Sequence, residues 1–357
     1  MTSFRSLVRH RVRRLAHQLA TPLVPADFLD MINPLRPGAD LCGRIVAVER
    51  ETPDAVSLEI KPGADWRGHV PGQHVRVGVD VDGVRHHRTY SLTSAPGGPT
   101  IRITPKRIET GLVSTYLTTQ ARVGDLVHLG QAEGDFRVPA PSPDKVLLIS
   151  AGSGITPILG MLRSGLAGVS DVVLVHSDRT AADMIAGTEI RELAAIGAIR
   201  LVERHTSAEG RLTLAALTAA VPDWAERATW ACGPADLLDT LEAHWSEHEL
   251  DDQLHTERFV LPTFAAVDGD GGAVTFADSA IEVEGAPGQT ILELGEEAGV
   301  LMPSGCRMGI CHGCLTPLRS GAVRDVRTGD LVQAPADQPL PIQTCITTPA
   351  GPCQLDR

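Results

Sequence analysis

The sequence predicts three modules in series: an antiparallel β-barrel over residues 39–140, a doubly wound parallel α/β sheet over 141–250, and an α+β module of β-grasp type over 271–357. Three observations predict them. Short apolar runs (Gly43–Val48, Ala55–Ile60, His74–Val79, Thr100–Thr104, Leu126–Leu129) alternate with Gly and Pro turn signals, the pattern of a small all-β domain. From Lys145 the pattern changes to buried-type strands separated by helical stretches, which reads as βαβ units in a parallel sheet. Past residue 271 come a hairpin pattern, one helix and a cysteine-rich loop. At 357 residues the chain is too long for a single core and suits such a division.

Composition narrows the function classes. The chain is 43% hydrophobic and 21% charged, which is globular, and its net charge of −12 argues against nucleic-acid binding. No run approaches the length and apolarity of a membrane span. Seven cysteines, an odd count in a long chain, argue against a disulfide framework and for a reducing compartment, so a cytoplasmic location is expected. Residues 1–38 carry six arginines against Asp27 and Asp30, net +4. From Ala266 onward five arginines face twelve carboxylates, net −7, and an acidic module of this kind tends to meet a basic partner surface.

Residues 1–38 read as a basic amphipathic arm. Phe4, Val8, Val12, Leu15 and Leu19 fall at helical spacing, with Arg5, Arg9, Arg13 and Arg14 mostly elsewhere on the wheel, and Pro22 and Pro25 break the helix. Two readings stay open. The helix packs on its own protein with solvated arginines, or residues 1–21 make peripheral contact with an anionic membrane at its inner face.

In the barrel segment, Arg88-Thr89-Tyr90-Ser91 brings together an arginine that can hold a phosphate, a tyrosine that can cover an isoalloxazine ring and a hydroxyl that can reach flavin N5. Gly111-Leu112-Val113-Ser114-Thr115 reads as the opening of a short helix, whose free N–H groups suit a pyrophosphate. In the α/β segment the strand Lys145–Ser150 runs into Ala151-Gly152-Ser153-Gly154-Ile155-Thr156-Pro157. Glycines there let the backbone approach a pyrophosphate, and Pro157 fits a first helical turn. Further strands are expected at Asp171–His176, Ile199–Glu203 and Thr229–Ala231, the last ending in Cys232-Gly233-Pro234, where ligands bind in such sheets. Residues 251–270 read as a linker.

Beyond it, Ala273–Phe276 with Ala280–Val283 reads as a hairpin, Thr290–Ala298 as a helix and the region of Cys314–Leu318 as a strand. Cys306, Cys311 and Cys314 have C-x4-C-x2-C spacing, and Cys345 follows in a strand-like setting, Gln343-Thr344-Cys345-Ile346-Thr347. This is the thiolate spacing of a plant-type [2Fe–2S] cluster. Zinc loops usually bring two C-x2-C pairs, and only one is present. Cys353 competes with Cys345 as fourth ligand but with poorer spacing, and Cys42 reads as structural.

The ordered motifs RxYS, GxVS, GxGxxP and CGP resemble the ferredoxin–NADP reductase superfamily, and the appended cysteine loop makes residues 40–357 similar to the three-module reductases that serve oxygenases and desaturases. The resemblance implies that Arg88 contacts flavin phosphate, Tyr90 stacks on the flavin and Ser91 lies at N5. It implies that Gly111, Leu112, Val113 and Ser114 hold the pyrophosphate, that Gly152, Gly154, Thr156 and Pro157 receive NAD(P)H, and that Cys232, with Gly233 and Pro234, lies at the nicotinamide. Ser91 and Cys232 are thus the expected catalytic pair. The RxYSLTS form favours FAD over FMN, and Glu257 and Phe259 are candidates to complete the flavin pocket.

Asp178 could accept from a ribose hydroxyl and favour NADH, whereas Arg179, Ser207 and Arg211 could bind a 2′-phosphate. NADPH is the expectation. The fused order implies an electron-acceptor protein, and the basic arm points to a membrane di-iron fatty acyl desaturase or hydroxylase. The reductase of a soluble aromatic-ring oxygenase is the alternative, and a flavin and iron–sulfur redox sensor is the rival from another class.

Overall fold

The computed structural model describes residues 25–81, 83–109, 111–166, 168–259, 271–286, 288–305, 307, 309, 312–326, 328–335 and 338–357. The arm helix expected over residues 4–19 lies outside them. Past Pro22, a short helix at Pro25–Ile32 opens the described chain, with Pro25 as its first residue, where a missing N–H costs nothing.

Six antiparallel strands follow: β1 (Cys42–Arg50), β2 (Val56–Pro62), β3 (His74–Val81), β4 (Val84–Ser91), β5 (Ile101–Ile103) and β6 (Leu126–Glu133). Their order is β4-β3-β6-β1-β2-β5. Just past β4, Leu92 bridges Ile103 of β5, and the Thr93 N–H donates to the Arg102 carbonyl at 2.8 Å, so the two edges meet and the sheet closes as a barrel. Alternate residues fill the interior: Val75, Val77 and Val79 of β3 face Ile45, Leu58 and Ile60. The helix Leu112–Thr119 adds Val113 and Leu117 to that core. The five apolar runs of the sequence are β1, β2, β3, β5 and β6. The sequence does not announce β4, because Val-Arg-His-His-Arg-Thr-Tyr-Ser carries no apolar alternation.

The α/β module has five parallel strands, β7 (Lys145–Ala151), β8 (Asp171–Asp178), β9 (Arg200–His205), β10 (Ala228–Cys232) and β11 (Leu254–Glu257), in the order β11-β10-β7-β8-β9. β7 is buried on both faces. Val146 and Leu148 join one core, and Leu147 and Ile149 the other. β11 corrects the expected linker, since residues 254–257 pair in parallel with 229–232 and belong to the sheet. The segment is too short and polar (Leu-His-Thr-Glu) to announce a strand.

The last module contains β12 (Gly272–Phe276), β13 (Ile281–Gly285), β14 (Leu315–Ser320), β15 (Ala322–Asp325), β16 (Leu331–Gln333), β17 (Leu340–Gln343), β18 (Thr347–Pro349) and β19 (Cys353–Leu355). One sheet runs β13-β12-β19-β14-β17, with β12 and β19 parallel at its centre, and a smaller one runs β16-β15-β18. The helix Ile291–Glu297 starts at a full capping box, Thr290 with Glu293, and packs Ile291, Leu292 and Leu294 against Phe276 and Leu318. Cys345 lies in the turn between β17 and β18, not in a strand as expected. The turn is anchored by Thr344, whose hydroxyl donates to the Cys314 carbonyl at 3.0 Å.

Barrel and α/β sheet pack closely. A Cβ on Gly160 would lie 2.5 Å from the Leu92 carbonyl oxygen, so only glycine permits this approach. Arg163 donates to the Thr93 carbonyl at 2.7 Å while its other nitrogens bind Glu189 at 2.8 and 2.6 Å. Glu51 of the barrel accepts from the Ala186 N–H at 3.2 Å.

Candidate functional site

The end of β4 lies against β3, with Ser91 opposite His74 and Tyr90 opposite Val75. Ser91 is buried, and burial pushes the Tyr90 phenol well above its usual range, so it stays protonated and serves as a ring. Arg88 donates to the His87 carbonyl at 2.7 Å. His87 is held down at about 4, first by burial and then by Arg76 and Arg85. The Thr89 hydroxyl is buried with no partner among the described residues. In the Gly111 segment the Ser114 hydroxyl accepts from the Ile108 N–H at 3.2 Å and donates to the Gly111 carbonyl at 3.0 Å. Its side chain thus shapes the loop, and a phosphate is left to the first backbone N–H groups of the helix, which have no carbonyl a turn back.

The nucleotide loop follows β7 at the point where the sheet order reverses. From β7 the chain winds to β8 and β9, then crosses back to β10 and β11 on the other side. The crevice beyond the carboxyl ends of β7 and β10 is where such sheets bind ligands. Gly152 stands there at φ +55°, and a Cβ on it would meet nothing within 4 Å, so the space above it is open to a pyrophosphate. Gly154 is the opposite case: its Cβ would lie 2.1 Å from the Cys232 carbonyl oxygen, which locks the loop against the Cys232-Gly233 turn. Thr156 donates back to the Ser153 carbonyl at 2.9 Å, and Pro157 is buried in the first turn of the helix Ile155–Arg163.

One contact joins these halves. His74 Nδ1 of the barrel lies 3.5 Å from Glu257 Oε1 of β11, both side chains largely buried. His74 is register partner to Ser91, and Glu257 to Cys232. The two expected catalytic residues are therefore linked through His74 and Glu257. Cys232 is fully buried, and burial, with Glu257 as a lesser cause, holds its thiol well above the usual range. It therefore stays a neutral thiol. Glu257 Oε2 is buried with no hydrogen-bond partner among the described residues, an acceptor left for a bound group. Phe259 packs on the α/β core. His74 was missed by sequence reasoning. The signal was Pro71-Gly72-Gln73-His74, where a Cβ on Gly72 would lie 1.9 Å from the Phe136 carbonyl oxygen.

In the last module Cys314 Sγ and Cys345 Sγ are 3.2 Å apart, both buried. Cys306 and Cys311 lie outside the described residues. The Gln343 amide donates to the Gly309 carbonyl at 2.8 Å, tying the cysteine loop to the end of β17. Cys353 lies on β19 in register with Val274, and burial raises its thiol to about 11, which fits a packing residue.

Comparison with known proteins agrees. The chain matches the 2Fe-2S iron-sulfur cluster binding domain family over residues 274–350 and the oxidoreductase NAD-binding domain family over 148–242. It is 42% identical over 355 residues to an NADPH oxidoreductase of Mycobacterium tuberculosis, covering 97% of this chain and 92% of that one. The chain belongs to the ferredoxin–NADP reductase superfamily, in its branch with a C-terminal [2Fe–2S] domain. This reductase is also 32% identical to the NADH oxidoreductase HCR of Escherichia coli over 77% of the chain and 84% of that protein. In fold it is similar to phthalate dioxygenase reductase, with a TM-score of 0.60, 24% identity, and coverage of 88% of this chain and 97% of that one. It is an NAD(P)H-dependent oxidoreductase that uses FAD and a [2Fe–2S] cluster.

The residues expected at the ribose lie at the tips of β8 and β9 and just beyond them. Asp178 closes β8, buried, with Oδ1 accepting from the Arg179 N–H at 2.8 Å and Oδ2 facing His176 Nε2 at 3.6 Å, without a hydrogen bond among the described residues. The Arg179 carbonyl accepts from the Ser207 N–H at 3.1 Å, so these residues share one corner. Neither arginine waits unpaired. Arg179 binds Asp183 at 2.7 Å, which with Thr180 lowers that carboxyl to about 2, and Arg211 binds Asp236. Both guanidinium groups are mostly exposed, but only the Arg211–Asp236 pair is exposed on both sides; Asp183 is buried and holds Arg179 more firmly. Among the described residues no helix is long and apolar enough to cross a membrane.

Proposed function

We propose that this reductase takes hydride from NADPH and delivers single electrons to an oxygenase-type protein, a membrane-bound di-iron fatty acyl desaturase or hydroxylase. The observation that carries the hydride-transfer part of the reading is the Ser91–His74–Glu257–Cys232 line across the barrel–sheet junction. It joins the flavin side to the nicotinamide side. When bound, FAD supplies hydride acceptance at N5, and the cluster supplies one-electron transfer. The protein's part is geometric. Ser91 offers a buried hydroxyl at the N5 edge, Tyr90 a neutral ring for the flavin face, and Arg88 a cation for its phosphate. Gly152 and the helix start at Ile155 receive the nicotinamide dinucleotide's pyrophosphate, while Cys232 limits how closely the nicotinamide approaches. His74 orients Glu257 so that its free oxygen points to a fixed place, and the closed contact keeps water from the hydride.

NADPH is favoured by Arg179 and Arg211 at the ribose corner and by the name of the 42% identical relative. Relatives named as reductase components of oxygenases support the acceptor class: a glycine betaine monooxygenase reductase subunit of Pseudomonas aeruginosa at 28% identity, and the reductase component of a 3-ketosteroid-9-alpha-monooxygenase of Mycolicibacterium smegmatis at 32%. The basic arm of the sequence supports a membrane partner. The test is reconstitution in vesicles holding a desaturase of this type. NADPH-driven desaturation that is lost on removing residues 1–21, with dye reduction kept, is the expected result. Desaturation indifferent to the arm, or absent, would assign the acceptor to a soluble oxygenase.

A further inference from the structure

The helix Ala235–Glu247 starts directly after the Cys232-Gly233-Pro234 turn and is held to β11 by Arg258, which binds Asp239 at 2.8 Å and Glu242 at 2.7 Å. At its other end stand His244, Glu247 and, one residue beyond the last turn, His248. Positions i, i+3 and i+4 share a helix face, so two imidazoles and one carboxylate project together. One ligand atom from each lies within 4.8 Å of the other two.

The local chemistry suits a cation. His248 Nδ1 is 2.8 Å from the His244 carbonyl oxygen. A carbonyl only accepts, so Nδ1 carries the proton there and Nε2 keeps its lone pair. Metal-binding histidines are oriented by this kind of bond from the other ring nitrogen to a carbonyl. His244 Nε2 is buried and has no hydrogen-bond partner among the described residues. Trp224 braces both rings, with centroids 4.7 Å from His244 and 5.2 Å from His248, and the two imidazoles are 4.5 Å apart. The rings are therefore already ordered before any ion arrives. Two nitrogen donors with one carboxylate oxygen match zinc, nickel or copper, and not magnesium or calcium, which favour all-oxygen sites.

We propose that His244, Glu247 and His248 bind a divalent transition-metal cation of the zinc–nickel class, with water completing its coordination. Glu247 and His248 are exposed, so the ion exchanges with solvent. The site lies at the opposite end of the helix from the Cys232-Gly233-Pro234 turn, and the hydride path proposed above does not use it.

Trp224 is a built-in reporter. The holoprotein, with flavin and cluster in place, would be titrated with Ni2+ while tryptophan emission is followed, and with Zn2+ by calorimetry. Saturable quenching at one ion per chain, reversed by a chelator, and a one-site heat for Zn2+ are expected. His244→Asn with His248→Asn should abolish both while leaving flavin and cluster absorbance and dye reduction unchanged. Trp224→Phe should weaken the quenching, with Trp245, 5.8 Å from His244, left to report the rest, and keep the heat. Equal quenching and heat in the wild type and the double variant, or no saturable binding of either ion, would overturn the assignment.

Discussion

The hydride junction and the cluster site solve different problems, and their construction differs accordingly. The junction is shared between two modules. Its line of residues starts in the barrel at Ser91 and His74 and ends in the α/β sheet at Glu257 and Cys232. It is surrounded by contacts that fix one module against the other: Gly160 under the Leu92 carbonyl, Arg163 on Thr93, and Glu51 on Ala186. The described part of the cluster site is built within one module, from Cys314 at the start of β14 and Cys345 in the turn after β17. A hydride moves only when donor and acceptor atoms are near contact, so its site needs two rigid bodies locked together. A single electron needs no such contact, so its site needs only to hold the thiols.

The contrast can be broken most severely at the thiols. Cys345→Ser should remove the cluster's absorbance and essentially abolish electron delivery to the acceptor protein, with dye reduction by NADPH retained. Loss of dye reduction as well would mean that the modules do not function separately. At the junction, Gly154→Ala forces a methyl into the Cys232 carbonyl and shifts the nucleotide loop. A displacement of this size should cost roughly 100-fold in the rate of flavin reduction, read by stopped flow. Glu257→Gln keeps the shape and removes the charge that His74 faces, and it should slow flavin reduction by about tenfold with the cluster spectrum unchanged.

Smaller effects sharpen the picture. Arg211→Ala should raise the KM for NADPH by roughly tenfold while leaving that for NADH unchanged, since a charge-assisted hydrogen bond is worth about 1.5–3 kcal/mol. An equal change for both nucleotides would remove Arg211 from the ribose corner. The smallest signal expected is the reactivity of Cys353. Burial lifts its thiol to about 11, so it stays protonated at pH 8 and native alkylation should leave it unmodified. Its rapid labelling would show that β19 opens.

What could be read from sequence was what is local. The C-x4-C-x2-C spacing and the Gly152-to-Pro157 loop are legible because a turn's chemistry is set by adjacent residues. The helix expected over Thr290–Ala298 is found at Ile291–Glu297. β4 was hidden because His86, His87 and Arg88 break apolar alternation, and β11 because four polar-leaning residues look like a linker until β10 lies beside them. His74 gained its meaning only from register, through Ser91 on one side and Glu257 on the other. Asp183 stands at i+4 from Arg179, a pairing the sequence carries, whereas Asp236, which holds Arg211, lies 25 residues away, where no spacing rule connects them.

The central claim is that electrons enter at the barrel–sheet junction and leave through the thiolate cluster. It is tested most directly by anaerobic stopped-flow spectra of wild type and Cys345→Ser mixed with NADPH. The account predicts flavin bleaching at the same rate in both, followed by cluster bleaching in the wild type alone. A variant lacking the cluster that still reduced the acceptor protein at the wild-type rate would contradict it.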